Sequence, residues 1–162
     1  MSPGAETPFW TALDTALPRW RDRQEYPLVY AGFERRRGGT LRDQLGRVVA
    51  LALGKAFEPE SALEDALDVR LDRASAHAAI ERGLRRTPAY DAEWVNASNA
   101  LQVADAFVAC FHSDAEFLTN GYLWLSNEDT SAWTPLTSAT FDTGIVAVDD
   151  VTAGILWVTD EE

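Results

Sequence analysis

The residues with the most recognisable chemistry are the single cysteine, Cys110, and the nearby His112 and Asp114. A cysteine and a histidine can act as a nucleophile and its general base when a third group orients the histidine. Residues two apart either share one face of a strand or diverge on a helix, and the sequence signals no orienting group. We therefore predict a buried cysteine at a helix end, with His112 as a cation there and no catalytic residue.

Metal and phosphate sites are also poorly supported by the spacing of the residues. Two histidines and one cysteine are too few for a zinc site of the usual nitrogen and sulfur kind. The acidic turns near the C-terminus do not match the spacing of a calcium-binding EF-hand loop. Gly38-Gly39 follows three arginines but lacks the Lys-Ser/Thr step of a phosphate-binding loop. We expect no metal and no cofactor.

The strongest signal is an asymmetry of charge along the chain. All fourteen lysines and arginines lie at or before Arg86, whereas residues 87–162 hold thirteen acidic residues and neither lysine nor arginine. That segment either pairs its carboxylates with arginines of the first half or projects a negative field into solvent. The net charge of −12 also makes the chain a poor candidate for binding nucleic acid.

The acidic turns and one loop tryptophan are candidates for contacting a cationic partner. Acids in turns are usually turn formers, and a tryptophan is usually part of the core. Trp133, however, lies in a polar loop near acids, which is the composition of an interface anchor. We therefore predict seven partner-binding residues, which would cover the partner without doing chemistry: Glu128, Asp129, Trp133, Asp142, Asp149, Asp150 and Asp160.

Hydrophobic periodicity predicts mostly helices before these turns. Residues 1–6 are expected to be a disordered lead-in, and 7–162 a single domain. A strand is predicted at Pro27–Phe33 from its apolar run. Whether Ala106–Phe111 is helix or buried strand stays open. The predicted helices are Thr7–Leu17 (capped by Thr7), Leu41–Phe57 (capped by Thr40), a mostly helical Glu60–Arg86 with Ser75 as a second cap, and Tyr90–Phe111.

The C-terminal quarter is predicted to be a β-meander. Its strands are Tyr122–Leu125, Thr143–Val148 and Ile155–Thr159, and the last two are joined by a loop at Asp149–Gly154. The last two strands are apolar on both faces, so both faces must be covered, by helices or by a partner. The predicted fold class is α+β, with a mostly helical N-terminal two-thirds packed on a small antiparallel C-terminal β-meander.

Neither a membrane span nor a signal peptide is visible. The longest aliphatic run is Val48 to Leu53, and no basic start precedes an apolar segment. One cysteine excludes an internal disulfide and suits a reducing compartment. We expect a cytoplasmic protein that does not bind a membrane.

In size, charge and composition the chain resembles the small acidic immunity proteins and inhibitors that neutralise bacterial toxins, many of them nucleases with basic clefts. The resemblance implies a basic protein partner that is bound by occlusion. Two other hypotheses stay open. One is a carboxylate-based hydrolase or a domain that binds a small ligand or metal in a helix–sheet cleft. The other is a structural or regulatory homodimer that uses the doubly apolar strands.

Overall fold

The computed structural model describes residues 4–57, 63–121, 124–125 and 133–162. Within those ranges, no helix combines the length and the apolar character that crossing a membrane requires. The elements in chain order are α1 Thr7–Ala16, β1 Leu28–Arg35, α2 Leu41–Leu53, α3 Leu63–Ala66, β2 Val69–Leu71, α4 Arg73–Arg85, α5 Ala97–Val108, β3 Glu116–Thr119, β4 Phe141–Val148 and β5 Thr152–Asp160.

The strands form one antiparallel sheet in the order β1-β5-β4-β3-β2. β4 and β5 are a hairpin near the middle, and their pairing runs from Phe141 opposite Asp160 to Val148 opposite Ala153. β1 pairs with β5 over its whole length, so the first strand lies beside the last. The prediction of a strand near Pro27–Phe33 is confirmed, and this strand forms one edge of the sheet.

Helices of the same chain cover both faces of the sheet. On one face, Ile145 and Leu156 pack with Phe9, Ile80 and Phe107 of α1, α4 and α5. On the other face, the alternate residues of the same two strands pack against α2 and α3: Val146, Val148, Ile155 and Trp157 against Leu45, Val48, Val49 and Leu63. The prediction that both strands are covered on both faces is confirmed. The homodimer hypothesis loses its interface, because the strands that it would use are buried inside the chain.

Side-chain caps mark where α2, α4 and α5 begin. Thr40 and the Asp43 side chain form a reciprocal capping box at α2, as the sequence predicts for Thr40. Asp72 caps α4 by accepting from the backbone N–H of Ser75, so the prediction of Ser75 as the cap was wrong. The prediction for Thr7 was also wrong by one position, since Glu6 stands at the cap of α1.

The α+β class is confirmed, but the helices and strands alternate more than predicted. Within residues 60–86, a short strand separates α3 from α4, and residues 60–62 lie outside the described part. The helix expected at Tyr90–Phe111 begins only at Ala97, because Asn96 caps it. It continues to Val108, which settles the ambiguity at Ala106–Phe111 in favour of helix followed by a turn.

The clearest error is the prediction that Tyr122–Leu125 forms the first strand of the meander. Trp124 and Leu125 lie in a turn rather than in a strand, and residues 122–123 lie outside the described part. β3 takes that place in the sheet, pairing with β4 on one side and β2 on the other. Of the predicted disordered lead-in 1–6, residues 1–3 lie outside the described part and 4–6 form a turn.

Candidate functional site

An acidic cleft lies where the β4–β5 turn meets the start of β3. It has a volume of about 230 Å³. Asp114, Glu116 and Asp150 are exposed around it, whereas Asp149 is buried beneath the turn. The lining residues are Arg36, Leu41, Asp114, Glu116, Val148, Asp149 and Asp150. We call this group the acidic cleft.

Asp149 builds the turn that forms one wall of the cleft. Its carboxylate accepts backbone N–H bonds from Val151 and Thr152, both at 2.8 Å, and from His112 at 2.9 Å. Burial raises the pKa of the Asp149 carboxyl, but these three donors outweigh it and hold the pKa below the ordinary value. Asp149 therefore stays charged while it joins the hairpin to the segment after α5.

His112 projects beside the same turn. Its ring Nδ1 lies 2.9 Å from Asp150 Oδ1 and 3.9 Å from Asp149 Oδ2. Arg73 donates to the backbone carbonyl of His112, so this residue is held through both its N–H and its C=O. The ligating atoms of His112, Asp149 and Asp150 all lie within 4.8 Å of one another.

Few arginines of the first half neutralise carboxylates of the second half within the described ranges. Arg36 and Arg82 donate to backbone carbonyls, those of Asp149 and of Trp124 and Leu125. Arg37 and Arg85 pair with acids of their own half, Glu34 and Glu81. The arginine pairs that cross between halves are Arg70–Glu116 and Arg86–Asp91.

Both crossing arginine pairs are largely solvent-exposed, and such pairs contribute little. No arginine or lysine of the described residues pairs with the carboxylate of Asp114 or Asp150. Among the described residues, Arg36 and the exposed Arg70–Glu116 pair are the arginine contacts that reduce the negative field at the cleft, and His112 lies beside Asp150.

Asp142, predicted to contact a partner, is fully buried at the opposite end of the hairpin. It accepts bonds from the backbone N–H groups of Leu136 and Thr137 and from the indole N–H of Trp157. Burial raises the pKa of the Asp142 carboxyl above its ordinary value despite these bonds. Seven residues of strand, or about 23 Å, separate Asp142 from Asp149, so the two do not share one site.

The other predicted residues are also away from the cleft. Asp160 is buried and accepts from the backbone N–H of Ala89, which ties the end of β5 to the segment after α4. Trp133 is half-buried and stacks on Phe141 with ring centroids 5.6 Å apart. Glu128 and Asp129 lie outside the described residues. Of the seven predicted residues, the structure brings together Asp149 and Asp150.

Sequence reasoning missed Asp114 and Glu116 as cleft residues because it missed β3, which they precede and begin. The expected burial of Cys110 is confirmed, and burial raises the pKa of its thiol to about 12, with Glu6 adding to the shift. A thiol of that kind stays protonated at neutral pH and is a poor nucleophile.

Two further concave surfaces lie elsewhere in the described part of the chain. An apolar groove of about 350 Å³ is lined by aromatic residues that include Trp20, Tyr26 and Trp94. A second cleft of about 610 Å³ lies between the end of α4 and the start of α5, and its three arginines are already bonded within the chain: Arg82, Arg85 and Arg86. The acidic cleft differs in gathering three exposed acids, Asp114, Glu116 and Asp150, around one depression.

Comparison with protein-family models, with curated protein sequences and with solved structures found no match to this chain. The features of this chain that bear on function are therefore the chemistry of the acidic cleft and the distribution of charge.

Proposed function

We propose that this chain is a cytoplasmic protein-binding module that neutralises a basic partner by occlusion, in the manner of an inhibitor or immunity protein. The class of partner that fits best is a nuclease toxin. The observation that carries the proposal is the acidic cleft, where Asp114, Glu116 and Asp150 face solvent within a half-chain that lacks lysine and arginine.

The electrostatics of the cleft support this choice. A nuclease binds a polyanion, so its active site carries clustered lysines and arginines. A surface with clustered, exposed carboxylates attracts such a site over a distance of about 8–10 Å at physiological salt, and the attraction raises the rate of encounter. Leu41, which is half-buried, lines the same cleft and offers apolar contact beside the charges. The carboxylates and this apolar contact together form a surface suited to arginine side chains, whose aliphatic stems can pack on the apolar part while the charged heads meet the acids.

The size of the acidic cleft argues against a drug-sized ligand or an organic cofactor in it. Pockets that bind drug-sized ligands or cofactors usually measure about 300–1,000 Å³, and the acidic cleft measures about 230 Å³. Its most buried carboxylate, Asp149, is committed to three backbone donors. A shallow, charged depression of this kind favours contact with another protein over enclosure of a substrate.

The test reverses the exposed charges and leaves the turn intact. Asp114→Lys with Asp150→Lys changes the cleft, whereas Glu25→Lys with Asp65→Lys makes the same change in net charge on exposed residues elsewhere. Asp149 is not suitable for reversal because its carboxylate holds the hairpin. The partner to use is a basic toxin-domain protein encoded beside the gene of this chain.

Association is measured by stopped flow at low and high salt, and inhibition by rescue of growth when both proteins are co-expressed. We expect the cleft variant to associate at least about tenfold more slowly at low salt, to lose most of its salt dependence and to rescue poorly. The control should associate within about twofold of the wild type. Equal slowing in both variants, or a neighbouring gene of metabolic type, would contradict the proposal.

A further inference from the structure

We infer that His112, Asp149 and Asp150 form a binding site for a divalent first-row transition metal ion, with Zn²⁺ as the representative case. This inference goes beyond partner binding and does not depend on it. It also departs from the sequence-based expectation of no metal. That expectation came from counting histidines and cysteines, and the count gave no weight to a site with one imidazole and two carboxylates.

The positions of the three ligand atoms suit such an ion. A tetrahedral ion with bonds of about 2.0–2.2 Å to nitrogen and oxygen places its ligand atoms about 3.4 Å apart. His112 Nδ1 lies 2.9 Å from Asp150 Oδ1 and 3.9 Å from Asp149 Oδ2, on either side of that separation. All of the ligand atoms lie within 4.8 Å of one another. His112 and Asp150 are exposed, so their side chains have room to adjust toward this separation.

The backbone around the site is already fixed. Asp149 Oδ1 accepts two N–H groups, from Val151 and Thr152, whereas Oδ2 accepts one, from His112. Each carboxylate oxygen has two acceptor directions, so Oδ2 keeps one for a metal. Two guanidinium groups hold ligand residues through backbone carbonyls: Arg36 through that of Asp149 and Arg73 through that of His112. Neither arginine competes for the three ligand atoms.

The kind of ligand selects the kind of metal. One imidazole nitrogen with two carboxylate oxygens suits Zn²⁺ and its first-row neighbours. Ca²⁺ needs about six to eight oxygen ligands, and this group supplies two carboxylates. Three protein ligands leave at least one coordination position for water or for another molecule. The imidazole would bind the ion through an unprotonated Nδ1.

The second histidine of the chain provides an internal control. His77 Nε2 lies 2.6 Å from Asp105 Oδ1, so it too has a carboxylate neighbour. It has one such neighbour rather than two. In the part of the chain that the structure describes, His112, Asp149 and Asp150 are the group of three that meets the distance requirement. If any histidine–carboxylate pair bound zinc, replacing either histidine would lower the zinc affinity. A specific three-ligand site predicts that only the replacement of His112 lowers it.

The experiment is a calorimetric titration of the tag-free chain with ZnCl₂ after dialysis against a chelator, with no protein partner present. The wild type should bind one ion per chain in a saturable manner. His112→Ala should lose at least the roughly 10–100-fold in affinity that even an outer-shell partner contributes at such sites, and Asp150→Asn should lose affinity in the same direction. His77→Ala should bind as the wild type does.

A second measurement keeps the inference testable if a variant unfolds. Zinc added to the wild type should shift the Nδ1 resonance of His112 in nitrogen NMR spectra and leave both ring nitrogens of His77 unchanged. The inference would be wrong if the wild type bound zinc without saturation, if His112→Ala bound it equally well, or if His77→Ala lost as much affinity. Because no partner is present, such a failure would leave the proposed inhibitor function untouched.

Discussion

Two buried aspartates lie at opposite ends of strand β4. Asp142 is its second residue, and Asp149 directly follows its last residue. Each carboxylate accepts three N–H groups. Asp142 receives two backbone donors and one indole donor, and Asp149 receives three backbone donors. From the sequence, both were predicted to face a partner. In the structure, both instead organise a turn or loop at their end of the hairpin.

Their ionisation nevertheless shifts in opposite directions. Burial raises the pKa of Asp142 more than its hydrogen bonds, including one from the Thr137 side chain, lower it, and the result is a pKa above the ordinary value. At Asp149 the three donors outweigh burial, and the pKa falls below the ordinary value. Asp142 is fully enclosed, and its indole donor Trp157 belongs to the core, whereas Asp149 lies under a surface turn. Hydrogen bonds oppose burial at both carboxylates, so the opposite directions arise from the deeper burial of Asp142 together with the charge of His112 beside Asp149.

This difference distinguishes the carboxylate of Asp142, which has a structural role, from that of Asp149, which can also contribute to a binding site. Asp149 keeps its charge beneath the surface turn and contributes to the field of the acidic cleft while it holds the turn. Asp142 is enclosed by the segment 133–140 and by the hairpin, so no partner reaches it without local unfolding. Substitutions at Asp142 and Asp149 can therefore test whether their burial distinguishes the two roles.

The largest effect is expected when each carboxylate is removed. Asp142→Ala leaves three buried donors without an acceptor and should lower the free energy of unfolding by roughly 3 kcal/mol or more. Asp149→Ala also loses three acceptor bonds, but water can reach the turn, so we expect about 1–2 kcal/mol. Urea denaturation of the two variants beside Asp150→Ala, which should differ little from the wild type, measures the order. An equal or larger loss at Asp149 would contradict the role given to burial depth.

A smaller loss is expected at the residue that supports the Asp142 end. Asn120 is buried and donates from Nδ2 to the backbone carbonyls of Thr134 and Asp142, while its Oδ1 accepts from the Thr143 hydroxyl. Asn120→Ala should cost about 2 kcal/mol because these buried groups lose their partner. Urea denaturation measures the loss, and Asn99→Ala on α5 is a matched control. If Asn120→Ala left the stability unchanged, the Asp142 end would owe its burial to packing alone.

The sequence predicted the parts of the fold where one physical signal dominates. Residues 145–148 and 155–158 are apolar at every position, which requires cover on both faces, and helices provide it. Thr40 with Asp43 marks the start of α2 because both side chains serve backbone donors. Short elements were missed for the opposite reason. β2 has three residues, too few for a period to be recognised, and it exists because it pairs with β3.

The site was predicted only in part, and for a related reason. Composition shows that the second half of the chain has unpaired acids, but it does not show which of them face solvent. Asp142, Asp149, Asp150 and Asp160 all follow or interrupt apolar runs, yet three are buried and Asp150 is exposed. The distinction arises from donors far away in sequence, such as Ala89 for Asp160 and His112 for Asp149. Pairings of that range cannot be inferred from local spacing.

The smallest effect concerns the pH dependence of stability, and its sign differs at the two ends of β4. The pKa of Asp142 lies above the ordinary value of 3.8 in the folded state, so its stabilising contribution is greatest below pH 3.8 and is lost as the pH rises through the folded-state pKa. The pKa of Asp149 lies below 3.8, so its contribution is present above that pH and is lost as the pH falls through the folded-state pKa.

The unfolding free energies of the wild type, Asp142→Asn and Asp149→Asn, measured from about pH 2 to about pH 7, separate the two cases. The deficit of Asp142→Asn relative to the wild type should shrink as the pH rises above 3.8, because the wild type then bears a buried charge that the amide does not. The deficit of Asp149→Asn should shrink as the pH falls below 3.8, because the wild-type carboxylate is then neutralised too. If both deficits changed in the same direction with pH, burial depth would not be what distinguishes the two aspartates.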